Sequence, residues 1–240
     1  LVLEISGHQL HDCYEFKTNV SVMTNLIEVH IDHFKTYDFY KYNKAKIFNN
    51  HTENDICIYN IGNDDVIDKI SNIPSKKISF SSIDGLNSDL YLKDNAIYYL
   101  DEKIIETKDI MLQGNHNYEN IMCAIAATKI YGVTNEDIFN VLNRFGGVEH
   151  RIEFVKEIDG IEFYNDSKAT NVKSTQIALS AFSKPTILIL GGLDRGHSFD
   201  DLESYMNNTK LVVCYGETKN RIKEFCEKIN IKCIVLDNLE

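Results

Sequence analysis

No apolar run in this 240-residue chain approaches the roughly 18 residues that a membrane-spanning helix needs. Its opening residues do not read as a signal peptide. The six cysteines, Cys13, Cys57, Cys123, Cys214, Cys226 and Cys233, form no C-x-x-C pair. Most sit inside apolar runs such as IMCAIAA and LVVCYG, which reads as buried free thiols in a reducing compartment. Positive charge is scarce. Twenty-five Lys and Arg face 36 Asp and Glu, a net charge of -11, so attraction to a phosphate backbone is excluded as a driving force. The lysines lie scattered among acids and form no basic membrane patch. A small anionic substrate stays open, because local charge can oppose the average. No G-x-x-x-x-G-K-[ST] phosphate loop is present. Nor is there a G-x-S-x-G elbow, which removes support for a serine hydrolase. There is no low-complexity segment and no internal repeat.

What is present is an ordinary globular composition, 43% apolar and 25% charged, long enough for one large domain or two ordinary ones. LVLEIS reads as a short buried strand of a parallel sheet, and VSVMTNL (20–26) as a second. DFYKYNKAKIFNN shows helical spacing at Phe39 and Tyr42. DICIYNIGND reads as strand and turn. Across residues 77–112, KISFSS, DLYLKD, AIYYLDE and DIMLQG alternate in the manner of a small antiparallel sheet. NYENIMCAIAATKIYG then reads as a helix buried nearly all round, stopping near Gly132, and EDIFNVLNRF as another. Gly146 and Gly147 mark a hinge. Beyond them IEFYND, TILILGG, LVVCYG and KCIVLDN alternate with helical segments, the pattern of a doubly wound parallel sheet.

Several places carry polar groups with chemical potential. Glu4 ends an apolar stretch, where burying a carboxylate is costly unless it is paired. At the carboxyl edge of a parallel sheet a magnesium ion would pair it, and an edge-exposed acid is the alternative. NLIEVHIDHF sets His30 and His33 beside Glu28 and Asp32. In an extended chain Glu28, His30 and Asp32 share a face, though not at zinc spacing, and a solvated loop stays open. GNHNYEN puts His116, Asn117 and Asn120 at a helix start, where asparagine caps the helix or holds a nucleotide base. EHRIE places His150 and Arg151 after the hinge, and arginine suits bidentate binding of phosphate or carboxylate. NDSKATNVKST packs Asp166, Lys168 and Thr170 between a strand and a helix. A lysine there neutralises a transferring phosphoryl group, and a plain polar loop is the alternative. LILGGLDRGHSF runs a strand into a glycine-rich turn from which Asp194 and Arg195 project. A lone glycine pair is not a dinucleotide fingerprint.

The order of LEISGHQL, NVSVMTNLIEVHIDHF, NKAKIF, GNHNYENIMCAIAA, GGVEHRIE, NDSKATNVKST and GGLDRG resembles the Mur ligase family over roughly residues 1–205. These are ATP-dependent amide ligases of bacterial peptidoglycan synthesis. NDSKATN together with GGLDRG is similar to the branch whose incoming amino acid is D-glutamate. The resemblance implies an α/β fold. Part of a central P-loop-type ATPase domain, a parallel sheet plus a small antiparallel sheet, would occupy 1–147. A Rossmann-like C-terminal domain would occupy 148–240, and domain closure about Gly146 and Gly147 would expel water. ATP and Mg2+ would be the cofactors, and UDP-N-acetylmuramoyl-L-alanine and D-glutamate the substrates. The protein would be a cytoplasmic monomer with no nucleic-acid or membrane partner.

The resemblance also implies individual roles. Glu4 would hold the magnesium bound to ATP and His30 a second magnesium. The family's lysine carbamylated by carbon dioxide counts to Lys44, with Lys46 the alternative. Asn117 and Asn120 would contact the adenine, His150 and Arg151 the region of the phosphates, and Asp166 the ribose. Lys168 and Thr170 would face the reacting phosphoryl group and D-glutamate, so that Lys168, Lys44 and His30 are the catalytic set. Arg195 would meet the D-glutamate carboxylate and Ser6 the sugar-nucleotide substrate. The chain opens without an initiator Met and lacks the family's N-terminal domain and phosphate loop. The expectation is a piece of a longer protein, truncated at both ends and inactive alone. A noncatalytic nucleotide-binding module and a sister ligase adding another amino acid stay open.

Overall fold

Hydrogen bonds within a few residues set most helix starts. In the computed structural model, which describes residues 1–29 and 31–238, Ser6 accepts from the Gln9 N–H ahead of α1 (Gly7–His11), and Gln9 returns the bond in a capping box. Thr36, following the single turn α2 (Ile31–Phe34), accepts from Phe39 ahead of α3 (Tyr37–Ala45). Asn63 caps α4 (Asp64–Ile70). The helix α5 (Asn115–Lys129) starts at Gly114 with no side-chain cap, and Thr134 caps α6 (Asn135–Leu142) through a second capping box. Asn171 caps α7 (Val172–Ser180), and α8 (Lys219–Lys228) follows Thr218. Each cap satisfies N–H groups that the helix itself leaves open.

The chain divides into two compact units, Leu1–Gly146 and Gly147–Glu240. The first holds a six-stranded sheet in chain order: β1 (Val20–Met23), β2 (Ile56–Asn60), β3 (Lys76–Ser81), β4 (Leu90–Lys93), β5 (Ala96–Tyr99) and β6 (Glu102–Glu106). From β1 to β4 the pairs are parallel, and from β4 to β6 antiparallel. Two-residue turns at Asp94–Asn95 and Leu100–Asp101, all with positive φ, close the antiparallel hairpins. The period of two along β2 sends Ile58 into the core under α5 and α6, with Phe80, Leu90, Ile97, Met122 and Ile125. Cys57 points the other way, into the core formed with Met23, Phe34, Tyr40, Phe48 and Val66. Both faces of the parallel part are thereby covered, as parallel sheets require.

The second unit has a three-stranded parallel sheet ordered β11 (Cys233–Val235), β10 (Thr209–Gly216), β9 (Thr186–Gly192). Leu179 of α7, Leu202, Val212, Cys214, Ile222 and Phe225 form its core. On β9, Leu188 and Leu190 pack against that core, while Ile187 and Ile189 face outward, 60% and 63% exposed. A two-stranded antiparallel hairpin, β7 (Glu153–Ile158) and β8 (Ile161–Asn165), precedes the sheet.

The mixed α/β architecture agrees with expectation, but four segments differ. LVLEIS is not a strand. No described strand pairs with it, Leu1 and Val2 lie fully open, and an apolar run becomes a strand only where a neighbour accepts its backbone groups. KISFSS forms β3, a parallel partner of β2, rather than part of an antiparallel sheet. DIMLQG follows a 3-10 turn (Thr107–Asp109) and forms no strand. IEFYND is the second strand of the β7–β8 hairpin and joins no parallel ladder. Its two-residue turn, Asp159–Gly160, has φ of 52° and 79°, the backbone that an Asp-Gly pair favours.

Candidate functional site

In the first unit the residues ahead of α1 meet α3. Gly7 is buried, and a Cβ on it would lie 3.3 Å from Phe34 Cζ and 3.4 Å from Lys44 Cδ. The Lys44 stem thus packs directly against α1, in van der Waals range of where a Cβ on Gly7 would sit. The Lys44 amine makes no hydrogen bond or ion pair with any described residue. Burial lowers its pKa below the ordinary lysine value, and the negative charge of Glu4 opposes that in part. Glu4 is therefore near Lys44, although it is exposed and not at the end of a buried strand. Lys46 is engaged elsewhere. Its ammonium donates to the His11 carbonyl and sits 5.3 Å and 5.7 Å from the ring centroids of Tyr14 and Tyr42. Ser6 uses its hydroxyl to cap α1. The rings of His8 and His33 lie 4.3 Å apart, and His11 is 6.3 Å from His33. His30 lies outside the described residues. Among those described, no group of three or more His, Cys, Asp or Glu side chains is arranged to hold a metal ion.

The start of α5 supplies a second set. Gly114, at φ 104°, turns the chain into the helix. Asn117 does not cap it. Its side-chain amide donates to the Gln113 carbonyl at 2.9 Å, and the Asn120 side chain is exposed. Glu119, a helix glutamate with no sequence signal of its own, reaches the carboxyl ends of β2 and β3. Its carboxylate accepts from the Ser82 hydroxyl (2.8 Å) and N–H (3.2 Å) and from Asn60 Nδ2 (3.3 Å). Only the packing of α5 on the sheet brings these groups together.

In the second unit the segment after Gly147 is laced to the loop after β8. The His150 carbonyl accepts from the Lys168 N–H at 3.0 Å. His150 Nδ1 lies 2.8 Å from Asn165 Nδ2. Asp166 Oδ1 accepts from the Ile152 N–H at 3.0 Å, and the Asp166 carbonyl accepts from the Ala169 N–H. Burial raises the pKa of Asp166, while the Ile152 N–H and the Arg151 charge oppose that. His150, Arg151, Asp166 and Lys168 thus form one cluster, with His150 and Ile152 at positive φ to make the turn. Lys168 and Thr170 are exposed, and their side chains make no bond to a described residue. The backbone around them is fixed by these bonds and by the Asn171 cap. Such an arrangement leaves a cation and a hydroxyl on a held backbone, free for an anionic ligand.

The glycine-rich turn after β9 holds Arg195, exposed and without a partner among the described residues. Asp194 beside it is not free. It accepts from the Gly196 N–H at 2.8 Å and from Arg221.

Comparison with known proteins adds to this geometry. Residues 1–128 match the model of the Mur ligase middle domain, and residues 150–240 that of the Mur ligase, glutamate ligase domain. A UDP-N-acetylmuramoylalanine--D-glutamate ligase of Geobacillus kaustophilus (strain HTA426) is 43% identical over 242 residues, covering 100% of this chain and 54% of that protein. One of Bacillus cereus (strain G9842) is 42% identical over 234 residues, 98% of this chain and 52% of its own length. The chain spans about half the length of the curated relatives it matches. Among solved structures, UDP-N-acetylmuramate-alanine ligase MurC from Thermotoga maritima superposes with a TM-score of 0.73 at 15% identity, covering 98% of this chain and 54% of that one. MurF ligase from Thermotoga maritima in complex with ADP gives 0.66 at 16% identity, covering 97% and 61%. At such identities these two structures establish the fold alone.

Proposed function

This chain belongs to the Mur ligase family, and from that premise we propose that its full-length protein uses ATP to join D-glutamate to UDP-N-acetylmuramoyl-L-alanine in the cytoplasm. The observation that carries the reading is 43% identity, over the whole of this chain, to a D-glutamate ligase. The geometry of the loop 165–171 supports it.

A carboxylate is a poor acyl donor. Transfer of the ATP γ-phosphoryl group to the alanyl carboxylate gives an acyl phosphate and ADP. The amine of D-glutamate attacks the acyl carbon, a tetrahedral intermediate forms, and phosphate leaves as the amide bond closes. Lys168, exposed on a fixed backbone, offsets charge on the phosphoryl oxygens. Thr170 lies beside the incoming amino acid. Arg195 holds its carboxylate through a planar guanidinium with free donors. His150 and Arg151 contact the phosphates. The second carboxylate oxygen of Asp166 is available to a ribose hydroxyl. Asn120 meets the adenine, and Asn117 supports that edge while bonded to the Gln113 carbonyl. Ser6 acts at the sugar-nucleotide substrate.

Lys44 suits carbamylation better than Lys46. Carbon dioxide adds only to a neutral amine, releasing a proton, and burial favours that neutral form. A carbamate would turn the cation into an oxygen donor near Glu4. Glu4 would hold the magnesium bound to ATP, that carbamate and His30 a second magnesium, and the two would neutralise charge on the phosphoryl oxygens.

Phosphate release by the full-length enzyme, measured with UDP-N-acetylmuramoyl-L-alanine, ATP, magnesium and a panel of amino acids, tests the proposal. Release with D-glutamate alone is expected. Release with a different amino acid changes the acceptor, and no release with any overturns the ligase reading.

A further inference from the structure

The turn that carries Arg195 is tied to the start of α8, and one side chain supplies two of the ties. The Gly192 carbonyl accepts from the N–H groups of Glu217 and Thr218, at 3.0 Å and 3.3 Å. The Asp194 N–H donates to Glu217 Oε2 at 3.1 Å. Arg221, in the first turn of α8, sends Nη1 to Asp194 Oδ1 at 2.5 Å and Nη2 to the His197 carbonyl at 2.7 Å. Its guanidinium carbon lies 5.5 Å from the centroid of the Phe199 ring. Asp194 and His197 bracket Arg195 and Gly196. Gly196, at φ 76°, also donates its N–H to Asp194 Oδ1.

We infer that Arg221 is a positioning residue for amino-acid binding: it clamps Asp194 and His197 so that Arg195 between them is presented to the substrate carboxylate. The inference rests on the role proposed above for Arg195. Without the clamp, a turn rich in glycine samples many conformations, and binding must then order it. Arg221 is suited to the clamp because its planar fork reaches two acceptors at once, on either side of the residue it positions. A lysine, a point donor on a flexible stem, reaches one. The Arg221 charge is paired with Asp194, so the effect on the substrate passes through Arg195.

A clamp of this kind aids ground state and transition state alike, so its loss raises KM for the amino acid more than it lowers kcat. In the full-length enzyme, Arg221→Gln is expected to raise KM for D-glutamate roughly tenfold, with KM for ATP unchanged and kcat within about twofold. Arg221→Lys recovers part of the loss, because it restores the pair with Asp194 but not the bond to His197. In an Arg195→Ala background, Arg221→Gln adds no further rise. A rise that persists in that background overturns the inference, as does an equal loss in KM for ATP and in kcat. If Arg195→Ala raises KM for D-glutamate and Arg221→Gln does not, this inference alone falls. If Arg195→Ala leaves that KM unchanged, the role of Arg195 falls and takes the inference with it.

Discussion

Replacing Gly191 with alanine tests whether the ends of β9 and β10 must touch for the Arg195 turn to form. A Cβ at Gly191 would fall inside van der Waals contact of the Tyr215 carbonyl oxygen, 2.9 Å from the Tyr215 carbonyl carbon and 3.0 Å from Cδ1. Two of these neighbours are backbone atoms, which cannot swing aside as a side-chain tip can, so β9 must move away from β10. The pairs Gly191–Tyr215 and Gly192–Gly216 end that ladder, and the two bonds to the Gly192 carbonyl lie just beyond. Losing both bonds costs about 2 kcal/mol, and overpacking costs about 1–3 kcal/mol more. Lower entropy of the unfolded chain returns less than about 1 kcal/mol. The net loss is about 2–4 kcal/mol. For a unit of this size each kcal/mol lowers the melting temperature by about 4–8 °C. Scanning calorimetry of the full-length enzyme should then show the transition of the second unit falling by about 8–32 °C. Gly146→Ala is the control. Its Cβ would meet only Met111 Cε and Sδ, both at 3.6 Å, which is ordinary contact, and its melting should stay near the wild type. Gly191→Ala melting within about 2 °C of the wild type would refute the reasoning.

Three further predictions concern single side chains. Lys168→Ala in the full-length enzyme should lower phosphate release by at least about 100-fold, and near-normal turnover would remove Lys168 from the phosphoryl site. Lys44→Ala should abolish activity while Lys46→Ala retains most of it, and equal losses in the same phosphate assay would overturn the choice between them. His51 is buried, with Nε2 at 2.9 Å from the hydroxyls of Thr18 and Ser21, and burial lowers its pKa. The unfolded chain therefore takes up this proton first as pH falls below about 6.5. Stability from this group is full above that value and declines below it, toward the folded pKa. Urea unfolding of His51→Gln should show a flatter stability profile below about pH 6.5, and a profile parallel to the wild type would count against the assignment.

Features decided within a few residues were legible from the chain. The α5 helix and its apolar stretch from Ile121 to Ala127 follow from periodicity alone, since α5 has no side-chain cap, and the EDIFNVLNRF segment does form α6. The Asp159–Gly160 turn was equally legible, since Asp-Gly between alternating apolar residues signals a hairpin. An expectation of parallel strands masked it. The motif NDSKATN marked a polar loop between a strand and a helix, where Asp166 and Lys168 do lie.

Partners distant in sequence were not legible. Whether LVLEIS is a strand depends on a neighbour to accept its backbone groups, and KISFSS is parallel because β2 lies beside it. Glu119 bonds to Ser82 and Asn60, 37 and 59 residues away. Arg221 reaches Asp194 across 27 residues, and nothing in its neighbourhood of charged helix residues distinguishes it. Local order and residue type determined the family, the helix starts and the polar loops, because those hydrogen bonds close over three or four positions. The tertiary structure alone decided which strands pair, which of two lysines finds a bonding partner and which arginine is held while another stays free. Each of these is a property of groups that only folding brings within reach.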